Sequence, residues 1–427
     1  MTSAAATRAK ASIPVPDPAQ RHILRVLVAS QLLSGAGLAA GVVVGALLAQ
    51  DMLGTTGLAG LPSALLTAGS AFTAVVVGRV SQSRGRRTGL AAGYLTGAVG
   101  SAGVLTAAVL GSPVLLFVAL FVYGAGSATN LQARYAGADL ARPGHRARAV
   151  STVLVATTLG GVAGPNLAAP TGVLAEHLGI PALAGPFLLS GAAYGLAALV
   201  LALRLRPDPL LTARARAQAA PPPAAGPAAD ATGARRAPGG VVLGALVMVL
   251  SQLVMVAVMT MTPVQMHDHG HSTAASGAVI ACHIGAMYLP SPLTGWLVDR
   301  YGGLRIAAAS GTTLLASGIL GAAAPGDSVG LLALALALLG LGWNLGLVSG
   351  TAIITDRVPL ATRARTQGVV DVSVAVAGAT GGMASGIVVA AAGYPALALA
   401  CGALALALLP AIAATAYRQR ARGASRS

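Results

Sequence analysis

Apolar stretches of membrane-spanning length recur along the whole chain, separated by short polar segments. Twelve can be drawn, at residues 24–49, 57–80, 88–110, 113–138, 149–174, 183–204, 241–265, 275–297, 305–324, 328–355, 367–391 and 395–416. A helix needs roughly 20 apolar residues to cross the hydrocarbon core. Inside lipid every backbone N–H and C=O must bond internally, which a helix achieves within one segment. The spans are rich in Gly and Ala, so neighbouring helices can approach closely. The pattern predicts an all-α membrane protein of twelve transmembrane helices.

Residues 207–240 interrupt this pattern with PPPAAGPAADATGARRAPGG, a Pro- and Ala-rich run with Arg235 and Arg236 embedded. Such a composition predicts a mobile linker. It divides the chain into a six-helix half at 1–206, the linker at 207–240 and a second six-helix half at 241–427. The halves repeat. GRVSQSRG begins at Gly78 and GWLVDRYG at Gly295, 217 residues later; Asp139 with Arg146-Ala-Arg148 recurs as Asp356 with Arg363-Ala-Arg365 at the same offset. Two independent landmarks at one offset indicate pseudo-symmetric halves.

The chain is 55% hydrophobic and only 9% charged, far from the quarter charged that soluble domains carry. Its net charge of +16 would suit a nucleic-acid partner, but the distribution excludes one. With the N-terminus inside, all 27 Lys and Arg fall on one side of the membrane or at that end of a span. This is the positive-inside pattern, so both termini are expected in the cytoplasm. No apolar region followed by a small-residue cleavage site marks a leader, and Cys282 and Cys401, both in spans, do not suggest a disulfide.

Six plus six spans, a central loop and the run Gly295, Asp299, Arg300 and Gly302 resemble the major facilitator superfamily, whose nested repeats are well known. The resemblance covers nearly the whole chain. It implies alternating access, and a cytoplasmic gate in which the loop Asp locks against the opposite half. The first copy of the motif departs from the pattern, with Gln82 in place of the Asp and Ser83 in place of the Arg. Asp299 is therefore expected to pair with Arg146 or Arg148. Gln82 is left with a neutral bond to Arg363 or Arg365, and the closed gate should lean on the Asp299 side.

Candidate chemistry is concentrated between Met248 and Met287. Six of the nine Met and four of the seven His fall there. Met255 and Met259 are four residues apart on span 7, and so are His283 and Met287 on span 8, which places each pair on one helix face. Met266, His267, His269 and His271 lie in the outer loop between these spans. Thioether and imidazole together suit Cu(I). The offset of 217 converts the four helical positions to Leu38, Val42, Leu66 and Ser70, so these residues belong to the second half alone. Single Met residues are commonly gap fillers between helices. A His within a span is less ordinary, because polar groups in lipid usually face a pathway.

The segment MVAVMTMTPVQMHDHGHS…HIGAMYLPSPLTGWLVDRYG, with Met255/Met259 and His283/Met287, is similar to the bacterial CcoA-type copper importers. The run NLQARYAGADLARPGHRAR at 130–148 is similar to that family's fourth span and following loop. The resemblance implies copper uptake across a bacterial cytoplasmic membrane, there for assembly of a haem–copper oxidase, with a cytoplasmic metal chaperone as a candidate recipient. Copper would be cargo rather than cofactor, and no resident cofactor is expected.

Other polar residues lie near the inner end of span 4: Asn130, Gln132, Arg134 and Asp139, with Asp139 a candidate partner of Arg134. An alternative reading of Arg134 is an interfacial side chain that snorkels to the headgroups. Gly160 to Pro165 resembles the Gly-x-x-x-Gly-Pro motif of superfamily exporters, which keeps a proton-coupled drug or metabolite exporter open as the alternative. A transporter-like metal sensor without flux is a third reading. Asp139, Asp299, Asp356 and Asp371 all read as lying at cytoplasmic ends of spans, so the membrane potential is the simpler driving force. No phosphate loop, nucleophile triad or carboxylate pair suggests an enzyme.

Overall fold

The computed structural model describes residues 17–53, 61–219 and 238–414. These residues are almost wholly helical and contain no strand. In chain order the helices are α1 (Pro18–Leu53), α2 (Leu61–Arg84), α3 (Arg86–Leu110), α4 (Pro113–Ala138), α5 (Arg146–Asn166), α6 (Ala168–His177), α7 (Gly185–Arg204), α8 (Pro209–Ala219), α9 (Pro238–Asp268), α10 (Thr273–Tyr288), α11 (Ser291–Tyr301), α12 (Gly303–Ala323), α13 (Val329–Arg357) and α14 (Arg363–Leu406).

Local chemistry sets the boundaries. Ser112, Ser272 and Ser328 each cap a helix by accepting from the amide three residues on, which supplies one of the orphan donors at a helix start. Pro290 has no N–H, so the ladder of α10 cannot continue and span 8 is completed by α11. Span 5 is likewise broken, into α5 and α6 at Leu167. Gly393, at φ 79°, is in a conformation that side chains avoid, and it splits α14 into spans 11 and 12. The twelve expected spans are thus present, with two of them broken.

The first half packs around Tyr94, Tyr123, Phe187 and Tyr194. The larger core of the second half extends across the boundary to take in Ala138, Ala147, Val150 and Leu154 of the first. Phe72, Leu95, Val99, Val114, Ile387 and Met383 stay exposed on the outside of the bundle. In a membrane protein such a belt faces lipid tails and needs no protein cover.

The linker differs from expectation at its start. The whole of 207–240 reads as mobile, but 209–219 form α8, whose Arg214 reaches both halves: Nη1 donates to the Gln82 carbonyl (2.9 Å) and Nε to the Leu360 carbonyl (3.3 Å). Arg216 pairs with Asp17 beside α1, and its hydrogen bond holds the Asp17 carboxyl below its ordinary range. Arg8, Lys10, Arg235, Arg236 and the arginines from Arg418 onward lie outside the described residues.

Candidate functional site

The halves meet at the end of the bundle that carries the arginine-rich loops, termed the basic end. Two helix pairs make most of the contact, α2 with α14 and α5 with α11. Both approaches need glycine. A Cβ on Gly78 would stand 2.9 Å from the Ala364 carbonyl, and one on Gly295 would stand 2.8 Å from the Ala147 carbonyl. These positions are equivalents at the offset of 217, so the pseudo-symmetry extends to backbone contacts.

The loop motifs then act as caps. Asp299 accepts from the amides of Ala147 and Arg148, both at 3.0 Å, at the start of α5. Gln82 accepts from the amides of Ala364 (2.8 Å) and Arg365 (3.4 Å) at the start of α14. Its Nε2 also donates to the carbonyls of Leu360 (3.2 Å) and Ala361 (2.6 Å). Asp299 also keeps one of its expected side-chain pairs, with the Arg148 Nε 3.9 Å from Oδ2, whereas Gln82, against expectation, binds backbone rather than the side chains of Arg363 or Arg365. The reason is geometric: a helix N-terminus presents fixed, unpaired amides, which suit an amide oxygen as well as a carboxylate. Replacement of Asp by Gln at position 82 does not leave that side of the gate weak. Arg300 does not cross the boundary; it stacks over Trp296 and Tyr301.

The asymmetry lies one layer further in. Arg146 pairs with Asp356 at 2.5 Å, and its equivalent Arg363 faces Asp139 at 3.6 Å, so each half sends an arginine to the other's aspartate. The first pair is open, with Asp356 56% exposed, whereas Asp139 and Arg363 are buried. Arg86 adds a second buried guanidinium on Asp139 at 2.8 Å and also donates to Gln367. Its equivalent in the second half is Gly303, so only one side carries this cluster.

On the axis itself sits Arg134. Its Nη2 donates to Asp371 across the boundary (2.7 Å) and to the Tyr135 hydroxyl (2.8 Å), and Tyr135 also donates to Asp371 (3.0 Å). Arg134 is fully buried, so it neither snorkels nor pairs with Asp139, and Asp371 is buried with it two turns into α14 rather than standing free at a span end. The Nε of Arg134 donates to Thr351 at 3.2 Å. Asn130 and Gln132 have another role. Asn130 donates to Ser34, and Gln132 to the Ala74 carbonyl, which braces the first half internally. Gly160 of the exporter-like motif lets α1 approach, since a Cβ there would meet the Leu32 carbonyl at 2.3 Å.

The metal-type residues lie on α9 and α10, which both pack along α13 and touch each other little. Met255 and Met287 are buried in one apolar core, with Met259 packed against it. His283 is fully buried and its Nδ1 lies 2.8 Å from the Leu336 carbonyl. A carbonyl only accepts, so Nδ1 carries the proton and Nε2 keeps its lone pair. That nitrogen is buried and has no hydrogen-bond partner among the described residues. The outer group is less loop-like than expected, because α9 continues to Asp268 and takes in the buried Met266 and the exposed His267. His269 bonds the Gln265 carbonyl and His271 the Gly326 carbonyl, each at 2.8 Å through one ring nitrogen. Among the described residues no three His, Cys, Asp or Glu side chains form a metal cluster.

Several residues escaped the sequence reading. Arg86, Gln367, Asp371 and Tyr135 complete the buried charge layers. Gln252, Trp343 and Tyr288 form a second polar-aromatic group, with Trp343 donating to Gln252 at 2.7 Å and Tyr288 edge-on to Trp343 at 5.7 Å. Adding 217 to Arg134 would have exposed the axis, since it lands on Thr351.

Two six-helix halves that close on each other at one end, around buried charge on a pseudo-two-fold axis, are the architecture of a membrane transporter. The chain belongs to the Major Facilitator Superfamily, which it matches over residues 26–288 and 244–427. It is 56% identical to the uncharacterized MFS-type transporter YdeG of Bacillus subtilis, over 92% of this chain and 91% of that one. It is 32% identical to the riboflavin transporter RfnT of Brucella anthropi, over 83% of this chain and 85% of that one. Among solved structures, the human organic anion transporter MFSD10 shares the fold at a TM-score of 0.72 and 16% identity, covering 93% of this chain and 100% of that one.

Proposed function

We propose that this carrier takes up copper as Cu(I) across a bacterial cytoplasmic membrane, with the basic end in the cytoplasm. The observation that carries the reading is His283. One ring nitrogen is held by the Leu336 carbonyl and the other is bare, which is how proteins commonly orient a histidine that binds metal. Met287 lies one turn away on the same helix face, and Met255 and Met259 lie in the same core. A soft cation entering past His267, His269 and His271 would exchange water for imidazole and thioether ligands. Inward movement of one positive charge gains about 2.3 kcal/mol per 100 mV. A cytoplasmic chaperone would take the ion on release.

A second reading has its own observation. Gln252, Trp343 and Tyr288 form an aromatic corner, two rings edge to face with an amide beside them, suited to an aromatic solute such as the riboflavin that names the Brucella relative.

The test is cellular copper and riboflavin accumulation with and without the chain, alongside Met259→Leu and His283→Ala. Leu keeps the bulk of Met but has no sulfur. Copper accumulation should rise with the wild-type chain and fall to background with either variant, while membrane levels stay equal. Normal copper uptake by Met259→Leu removes that ligand, and riboflavin uptake without copper uptake selects the second reading.

A further inference from the structure

Away from the axis, a cavity of about 370 Å³ opens at the basic end where the α2–α3 corner meets the start of α8. Its lining is Arg84, Arg87, Arg206, Asp208 and Leu211. Asp208 is the one acid there, and its oxygens are engaged by backbone. Oδ2 accepts from the Arg87 amide at 2.8 Å, while Oδ1 accepts from the amides of Leu210 (3.0 Å) and Leu211 (3.1 Å). It seats this closely because Gly85, at φ 92°, has no Cβ; one would stand 2.4 Å from Oδ2. The three guanidiniums make no ion pair among the described residues. Three like charges lining one cavity are an electrostatic cost that a multi-oxygen anion would relieve. The planar guanidinium fork matches phosphate oxygens in pairs.

We propose that this cavity binds a phosphate group, supplied by an anionic phospholipid headgroup or by free phosphate. Its occupation would fasten the linker helix over the closed gate. Asp208 caps α8 and ties it to the first residues of α3, and further along α8 Arg214 holds a carbonyl from each half. A phosphate bridging Arg206 to Arg84 and Arg87 clamps the root of that strap. Basic pockets at this level of a membrane protein are a known setting for headgroup recognition.

The experiment uses the full chain in nanodiscs of phosphatidylcholine alone, with added phosphatidylglycerol, or with inorganic phosphate in the buffer. Melting temperature and hydrogen exchange in α8 are measured for the wild-type chain, for R84Q/R87Q/R206Q, and for R25Q/R79Q/R305Q. The last removes equal charge from exposed arginines outside the cavity. Binding should raise the wild-type Tm by about 2 °C or more and slow exchange in α8. The cavity variant should lose both effects and the control variant keep them. A response to phosphatidylglycerol alone assigns the lipid as source; an equal response to inorganic phosphate assigns the free ion. If the cavity variant does not fold, R84Q and R206Q are compared singly. The proposal is overturned if cavity and control variants respond alike, or if the wild-type chain responds to neither anion.

Discussion

Arg134 is the residue on which the closed state turns. A guanidinium buried in a membrane protein is tolerable only when paired, and here its carboxylate comes from the other half. When the halves rock apart at the basic end, Arg134 and Asp371 must separate or move together. Removing one partner of such a pair typically costs about 3–5 kcal/mol, whereas replacing both with apolar groups is far milder. Asp371→Leu and Arg134→Met should each lower thermal stability strongly, and the two together should recover most of the loss. Transport should stay impaired in the double variant, because its halves no longer exchange a charge during the cycle. A thermal-shift and uptake comparison of the four proteins decides this; additive losses would mean that the two residues are not coupled. Arg134 stood out in the sequence as a charge within a span, but its true partner did not. Asp371 looked peripheral because its span begins at residue 367, and only packing places it opposite a residue 237 positions away. The Met255/Met259 and His283/Met287 pairs, by contrast, stood out by helical spacing alone.

At the level of the helices, the gate is built from caps. Gln82 does more than its neutral character suggested, since one amide group both accepts from the N–H groups of α14 and donates to the preceding carbonyls. An aspartate there could accept but not donate, and its charge would face the Leu360 and Ala361 carbonyls. Gln82→Asp should therefore loosen the α2–α14 contact. Asp299→Asn should be milder, because the asparagine oxygen can still accept from one of the two amides that the separate oxygens of Asp299 hold. The measurement is cross-linking of cysteines introduced across the basic mouth in each background. Stronger cross-linking in Gln82→Asp than in the wild-type chain would refute the cap account. Twelve spans, their order and the repeat were readable from hydrophobic run lengths, because lipid imposes one length on every crossing. The ordered start of the linker was not, since α8 is short and polar and gains its place from Arg214 and Asp208 rather than from its own pattern.

At the scale of the whole molecule, the closed end is an interface between two folded bundles, and the contacts that cross it come mainly from helix ends and buried side chains. The halves produced as separate chains, broken within 220–237, should therefore assemble when co-expressed. Co-purification through a tag on one half reads this out. The first half supplied with a differently tagged copy of itself should not co-purify; if it does so as well as with the second half, the interface lacks the specificity described here.

That expectation follows from where Arg134 stands. A position on a two-fold axis meets its own counterpart, and Arg134 touches Thr351, 217 residues away, at that offset. Two identical bundles bearing arginine there would bring guanidinium against guanidinium with no water between them. Arginine at this position therefore requires halves that differ there, as Arg134 and Thr351 do, and it forbids a symmetric pairing of two copies of the first half.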